Sequence, residues 1–211
     1  MSCLVILKAT YIFMIAVVSV LVGSAGLVIA GLSVQTEGSM RTASALAGNG
    51  IKLVATLAPT TLRSGDKINV TDDAINTLPI LNNISASNDW ALRSLVGPCG
   101  GGIYADSLFQ GHDSVSNITS ATELPLVGPG LVTCPYIHID HYVFQPRSDV
   151  AEFVGTVAGD SNINASTASE FSLSGYYSAS ASEWIQFPPG LYTLVEGDAW
   201  GSLVFLPFTV V

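Results

Sequence analysis

The stretch that decides the fold is residues 188–211, PPGLYTLVEGDAWGSLVFLPFTVV. Two runs rich in β-branched and aromatic residues flank Gly197–Gly201, a short segment of turn-forming residues. This arrangement predicts an antiparallel hairpin that follows Pro188 and Pro189. The order Gly190, Leu191, Tyr192 has the Gly-x-Tyr form of a tyrosine corner, which is a feature of immunoglobulin-like sandwiches.

The same rhythm of short apolar runs and turn residues continues upstream. Ile51–Leu57 predicts a strand with Ile51, Leu53, Ala55 and Leu57 on one face. Residues 84–120 have a weaker pattern and are interpreted as loops. Further strands are predicted near residues 67–70, 75–82, 123–127, 131–134, 142–144, 150–157, 171–176 and 183–187. With no amphipathic helix after Thr36, the pattern predicts an all-β, immunoglobulin-like β-sandwich over residues 51–211.

An apolar segment precedes this domain. Residues 9–36 carry no charge between Lys8 and Glu37. Lys8, the apolar block 12–22 and the small residues Gly23 and Ala25 predict a signal peptide over residues 1–25. Cleavage there leaves residues 26–36 as an apolar segment, whose alternation is typical of a strand that completes another sheet. The residues on its shared face are Val28, Ala30, Leu32 and Val34.

Two other interpretations of the N-terminal segment stay open. Residues 9–34 are long enough for an uncleaved transmembrane helix, since about 20 apolar residues span a bilayer. Alternatively, processing between Ala9 and Thr10 would give a type IV pilin with a helical filament core. Each interpretation predicts an extracellular or cell-surface protein. Residues 37–50, which are small and polar, are predicted to form a flexible linker.

Composition excludes several kinds of partner. The net charge is −9, with only 7 Lys and Arg among 211 residues. Nucleic acids and anionic membranes require clustered basic residues, so neither is expected as a partner. A membrane is expected to contact the protein only through the leader or during assembly.

Cysteines and sequons fit an oxidising, extracellular environment. Cys3 lies in the leader, which leaves Cys99 and Cys134 as the predicted disulfide. Four N-x-S/T sequons predict N-linked glycans, which would make the surface hydrophilic without charge. Their acceptor residues are Asn69, Asn83, Asn117 and Asn164.

Catalytic motifs are lacking, so the sequence predicts neither an enzyme nor a cofactor. Cys134, His138 and His141, with His112 upstream, resemble the ligands of a blue-copper site. The predicted disulfide and the opposite-face placement of His138 and His141 argue against that site, and no metal is expected. Asp72 and Asp73 adjoin a sequon and are expected to face water, and calcium binding by these two carboxylates is the alternative interpretation. Asp198 and Trp200 are interpreted as parts of the hairpin turn.

Several motifs resemble known surface proteins. Gly97–Cys99, Thr133–Pro135, Phe144–Asp149 and Pro188–Val211 resemble a group of secreted immunoglobulin-like archaeal surface proteins. The overall plan is also similar to the subunits of archaeal thread and bundling pili, which polymerise by donor-strand exchange. The resemblance implies a cell-surface role and self-assembly.

The expected function is therefore that of a structural filament subunit. Each copy would donate its apolar segment to the next copy, and repetition of this head-to-tail contact gives a fibre. The alternative is a membrane-tethered binding or adhesion domain with an uncleaved N-terminal helix. A secreted copper protein is a minor alternative.

Overall fold

A computed structural model describes residues 40–86, 90–92, 102–128, 141–154 and 164–211. The predicted signal peptide, the apolar segment 26–36, Cys99, Cys134, His138 and the predicted strand 131–134 lie outside the described residues. Within them, no helix is long and apolar enough to span a membrane. The described residues belong to one compact unit, Met40–Val211.

The described part of the chain is built from β-strands with one 3-10 turn at Ile118–Ser120. The strands are β1 (Arg41–Leu46), β2 (Ile51–Ala58), β3 (Thr61–Leu62), β4 (Ile68–Asn76), β5 (Asn82–Ser85), β6 (Tyr104–Gln110), β7 (Thr122–Leu124), β8 (His141–Phe144), β9 (Val150–Val154), β10 (Asn164–Ser166), β11 (Ser169–Leu173), β12 (Gly175–Ser178), β13 (Glu183–Gln186), β14 (Gly190–Asp198) and β15 (Leu203–Val210).

Two of the sheets face each other. Sheet A has the order β1-β2-β4-β11, and sheet B has the order β3-β15-β14-β6-β7. Alternate residues of both sheets point inward and are buried, which makes one face of each strand apolar. The prediction of an all-β sandwich is therefore confirmed.

The terminal hairpin organises sheet B as the sequence predicts. Strands β14 and β15 pair antiparallel from Gly190 opposite Val210 to Gly197 opposite Leu203. Their inward residues, including Leu194, Leu206 and Phe208, pack with Leu53 and Leu57 of β2 in what we call the first core. The Tyr192 hydroxyl donates a hydrogen bond of 2.8 Å to the Pro188 carbonyl oxygen, which is the geometry of a tyrosine corner.

A third sheet, sheet C, has the order β10-β9-β8-β5 and contributes to a second core. Tyr142 and Phe144 of β8 pack there against Trp200 of the hairpin turn. The indole Nε1 of Trp200 donates a 2.7 Å hydrogen bond to the Ser85 carbonyl oxygen. Asp198 Oδ1 accepts hydrogen bonds from the backbone N–H groups of Trp200 and Ser202. Asp198 and Trp200 thus belong to the turn, as expected.

The described part of the predicted linker is not a tether. Arg41–Leu46 form β1, which pairs along its whole length with β2. Ala43 and Ala45 pack against the first core. Small side chains are typical of linkers, but here they allow an edge strand to lie close to sheet B. The sandwich therefore begins by Arg41 and not at Ile51.

Two strand predictions were wrong in their bounds, and one stretch interpreted as loops contains a strand. The strand predicted at 75–82 is divided, because β4 ends at Asn76 and β5 begins at Asn82. Residues 84–120, interpreted as loops, contain β6. The run 171–176 changes sheet after Leu173, because Gly175 lies so close to strand β13 that a Cβ there would clash with the Ile185 carbonyl oxygen.

Replacing the corner hydroxyl tests how much this feature stabilises the sandwich. Tyr192→Phe should lower the free energy of unfolding by about 1 kcal/mol, because the hydrogen bond from the Tyr192 hydroxyl to the Pro188 carbonyl oxygen is lost. Tyr176→Phe is the matched control, since its hydroxyl makes no hydrogen bond recorded among the described residues. Equal denaturant midpoints for Tyr192→Phe and the native chain would contradict a stabilising corner.

Candidate functional site

Three carboxyl groups meet between sheets A and B. Asp72 comes from β4, Asp106 from β6 and Glu196 from β14. One oxygen of each lies within 4.8 Å of an oxygen of the others. Asp106 and Glu196 are directly opposite each other across the β6–β14 pair. We call these three residues the carboxylate cluster.

Strand alternation places the cluster inside the sandwich. On β4 the inward residues include Val70, Asp72 and Ala74, and all three are buried. Val70 belongs to the first core and Ala74 to the second. Glu196 likewise lies after Leu194 of the first core and before Ala199 of the second. The cluster is therefore a polar layer between two apolar cores.

Two members of the cluster are enclosed without hydrogen bonds. Glu196 is 0% exposed and Asp72 is 1% exposed. Both carboxyl oxygens of each residue lack a hydrogen-bond partner among the described residues. Asp106 is half-buried and is the member that extends toward solvent. Buried ionised groups are costly unless they are paired or bind a metal.

Another buried polar residue on β4 shows the contrast. The Asn76 side chain is also 0% exposed, but it donates to the carbonyl oxygens of Ile80 and Gln145 at 2.9 and 3.0 Å. Its Oδ1 accepts a hydrogen bond from the Leu78 N–H at 3.0 Å. The fold thus satisfies a neutral amide fully, while the two enclosed carboxyl groups are left for a proton or a ligand.

Burial changes the ionisation of the cluster. It raises the pKa of Asp72 from 3.8 to about 7, with a further contribution from the Asp106 charge. Burial also raises the pKa of Glu196 well above its ordinary value, with further contributions from the adjacent Asp106 carboxyl group and from the charge of Asp72. The cluster therefore favours a bound proton or cation over three bare negative charges.

Tyr104 lies beside the cluster on β6. Burial is the main cause that raises its pKa, and the charges of Asp73 and Asp72 add to it. Its hydroxyl donates a 2.9 Å hydrogen bond to the Thr167 carbonyl oxygen. Tyr104 is thus a neutral phenol two residues before Asp106 on β6.

The expectation that Asp72 faces water was wrong. Its neighbour Asp73 is half-buried, and the Thr167 hydroxyl lies 3.2 Å from Asp73 Oδ1. Burial and the Asp149 charge raise the pKa of Asp73. The alternation from Ile68 to Asn76 was the sequence signal that could have found Asp72, because it places this residue in phase with Val70 and Ala74.

The candidate copper ligands are not brought together where they are described. His112 follows β6 of sheet B, and its Nε2 lies 3.2 Å from the Phe208 carbonyl oxygen. His141 begins β8 of sheet C, and its Nδ1 lies 2.8 Å from the Ser85 hydroxyl. The group of potential metal ligands found in the described residues contains neither histidine. Cys134 and His138 lie outside those residues.

All four predicted glycosylation acceptors are exposed, namely Asn69, Asn83, Asn117 and Asn164. Asn117 is the most constrained, since its Oδ1 accepts from the Ser114 N–H and its Nδ2 donates to Asp113 Oδ1. The structure leaves each acceptor accessible. The predicted disulfide and the interface residues Val28, Ala30, Leu32 and Val34 lie outside the described residues.

Two strand edges on one side of the sandwich are open among the described strands. Strand β1 is the edge of sheet A and pairs with β2 alone. The Ala47 N–H donates a hydrogen bond to the Ile51 carbonyl oxygen. By alternation, the odd-numbered residues of β1 direct their backbone N–H and C=O groups to β2. The N–H and C=O groups of Thr42, Ser44 and Leu46 consequently point away from the sheet.

Strand β15 provides the second edge and lies near β1 across the sandwich. Strand β3 covers only its end, where the Thr209 N–H bonds to the Thr60 carbonyl oxygen. By alternation, Leu203, Phe205 and Pro207 also direct their backbone groups to this edge. Pro207 has no N–H, which limits the free donors of this edge to Leu203 and Phe205.

Comparisons with known proteins do not place the chain in a family. No family model and no curated protein matches the sequence. Its fold is similar to part of a β-glucosidase from Listeria innocua in complex with isofagomine, with 13% identity and a TM-score of 0.31 over 82% of this chain and 16% of that one. A Bifidobacterium adolescentis GH3 β-glucosidase is 12% identical, with a TM-score of 0.15 over 81% of this chain and 17% of that one. The chain spans less than a fifth of either enzyme, and neither likeness carries an argument about activity.

The ionisation of the cluster predicts a pH-dependent stability. Between pH 3.8 and about 7 the folded protein holds a proton on Asp72 that the unfolded chain releases. Stability is therefore lost as pH rises through this range. With divalent cations removed by a chelator, the melting temperature should fall by roughly 10 °C between pH 5 and pH 8.

Calorimetric melts of native protein and Asp72→Asn measure this effect. The amide does not titrate, so the variant should show a weaker dependence on pH than the native chain. Glu170→Gln, which changes an exposed carboxyl group on the neighbouring strand β11, serves as the control. A native melting temperature that stays constant or rises over this range would exclude the proposed ionisation.

Proposed function

We propose that the protein is a structural subunit of an extracellular filament. Each copy donates the apolar segment 26–35 to the sandwich of the next copy. The observation that supports this function best is the pair of open edges at β1 and β15 on one side of the sandwich. An exposed strand edge is a template for pairing with another chain.

The β15 edge matches the donor better than the β1 edge does. Val204 and Leu206 of β15 are buried on its inner face, and Leu203 and Phe205 pack against a small apolar cluster on its outer face. The donor also has apolar residues on both faces, because Leu27 and Ile29 alternate with Val28 and Ala30. In contrast, β1 presents Thr42 and Ser44 on its outer face. We therefore assign the acceptor edge to β15.

Because the sandwich begins at Arg41 and not at Ile51, the connection between it and the donor segment 26–35 is shorter than the predicted linker. Only residues 36–40 separate Gln35 from Arg41, the first residue of β1. Even fully extended, five residues span about 17 Å. A donor held this close to its own domain reaches only a neighbour that is packed end to end, which favours a regular fibre over a loose chain of domains.

Changes in the donor test polymerisation directly. Deletion of residues 27–34 from the processed protein should abolish filaments in negative-stain electron microscopy and leave a soluble domain. Leu32→Asp should have the same effect, because a carboxylate would be buried without a partner in the next subunit. Ser33→Asp is the matched control, since Ser33 lies on the opposite face of the donor. Filaments of normal length from the deletion protein would contradict the proposal.

Proline substitutions identify the acceptor edge. Phe205→Pro removes an N–H that is directed to the open edge and that no other described strand uses. Pro207 occupies an equivalent position on the same edge, so β15 already contains a proline there. This variant should fold but fail to polymerise, whereas Phe205→Ala, which keeps the N–H, should polymerise. Ser44→Pro makes the same change on β1 and should leave filaments intact. Loss of filaments with Ser44→Pro alone would move the acceptor to β1.

A further inference from the structure

We infer that Asp72, Asp106 and Glu196 bind one calcium ion between the two sheets. This site is independent of the filament proposal. Its three carboxyl groups come from β4 in sheet A and from β6 and β14 in sheet B, with oxygens within 4.8 Å of one another. The enclosed oxygens of Asp72 and Glu196, which lack a hydrogen-bond donor among the described residues, are suited to ligate a cation.

The ligand chemistry favours calcium over magnesium. Ca²⁺ takes 6–8 oxygen ligands in flexible geometry, and oxygens within 4.8 Å of one another can share one such ion. Mg²⁺ usually keeps several waters and uses only one or two carboxylates, which suits an enclosed site of three carboxyl groups less well. Three carboxyl groups offer six oxygens, which meets the lower end of the coordination number of calcium. Only oxygen ligands are present, which disfavours zinc and copper.

The residues beside Asp72 on the neighbouring strands are small. In register, Asp72 lies beside Ala55 of β2 and Ser169 of β11, which are both small. Asp106 is half-buried, so the cluster is not wholly enclosed. Because the ligands come from both sheets, the ion would join sheet A to sheet B and offset the negative charge of the polar layer.

Thermal melts of the secreted full chain, first freed of metal with a chelator, test this site. Addition of about 5 mM Ca²⁺ should raise the melting temperature by roughly 5 °C or more, for a Kd of about 0.1 mM. Mg²⁺ at the same concentration should raise it by less than half as much. Terbium emission excited through Tyr104, two residues from Asp106, should appear on binding and be lost when Ca²⁺ is added.

Variants separate a cation site from a proton-sharing pair of carboxyl groups. Glu196→Gln should weaken calcium binding by at least about tenfold in titration calorimetry, while Asp73→Asn, next to a ligand but not one itself, keeps it. If Glu196→Gln does not fold, the half-buried Asp106→Asn gives the same comparison. No calcium-dependent change in the native protein, equal shifts with Mg²⁺ and Ca²⁺, or unchanged binding in the folded ligand variant would overturn the inference.

Discussion

The structure depends on how it offsets the free-energy cost of burying carboxyl groups between its two cores. Asp72 and Glu196 are almost fully enclosed, and Asp106 lies against them. An unpaired ion buried in a protein costs several kcal/mol even after relaxation. Two such charges, with a third beside them, would cost a large share of the whole stability of a typical domain, about 5–15 kcal/mol. The sandwich must therefore protonate the cluster or fill it with a cation.

This constraint joins the parts of the molecule. The cluster lies between the first core, which the terminal hairpin shares with β2, and the second core, which sheet C shares with the hairpin turn. Replacing the three carboxyl groups with apolar side chains would merge the cores, and such replacements are often stabilising. Their presence is therefore better explained by ligand binding than by packing.

Much of the fold could be predicted from local patterns. The hairpin β14–β15, the inward face of β2 and the corner at Tyr192 each follow from alternation or from a short motif. Strand β6 was missed because Asp106, Ser107 and Gln110 hide its alternation, and it is recognised only through its pairing with β14. Strand β1 was missed because small, polar residues are typical of linkers as well as of edges. Both β1 and β6 are stabilised by pairing with strands elsewhere in the chain. Their own residues are therefore not enough to identify them as strands.

The site was less predictable for a related reason. Asp72 follows a sequon and precedes another aspartate, which locally resembles an exposed turn. Glu196 precedes a glycine and reads as the polar end of a strand. Only the pairing of β14 with β6, and the packing of sheet A on sheet B, bring these carboxyl groups together. A charged residue in phase with the buried face of a strand is thus a better indication of a site than a charged residue near a motif. In this chain that rule selects Asp72 and Glu196, whereas the histidines that match a ligand spacing are divided between two sheets where they are described.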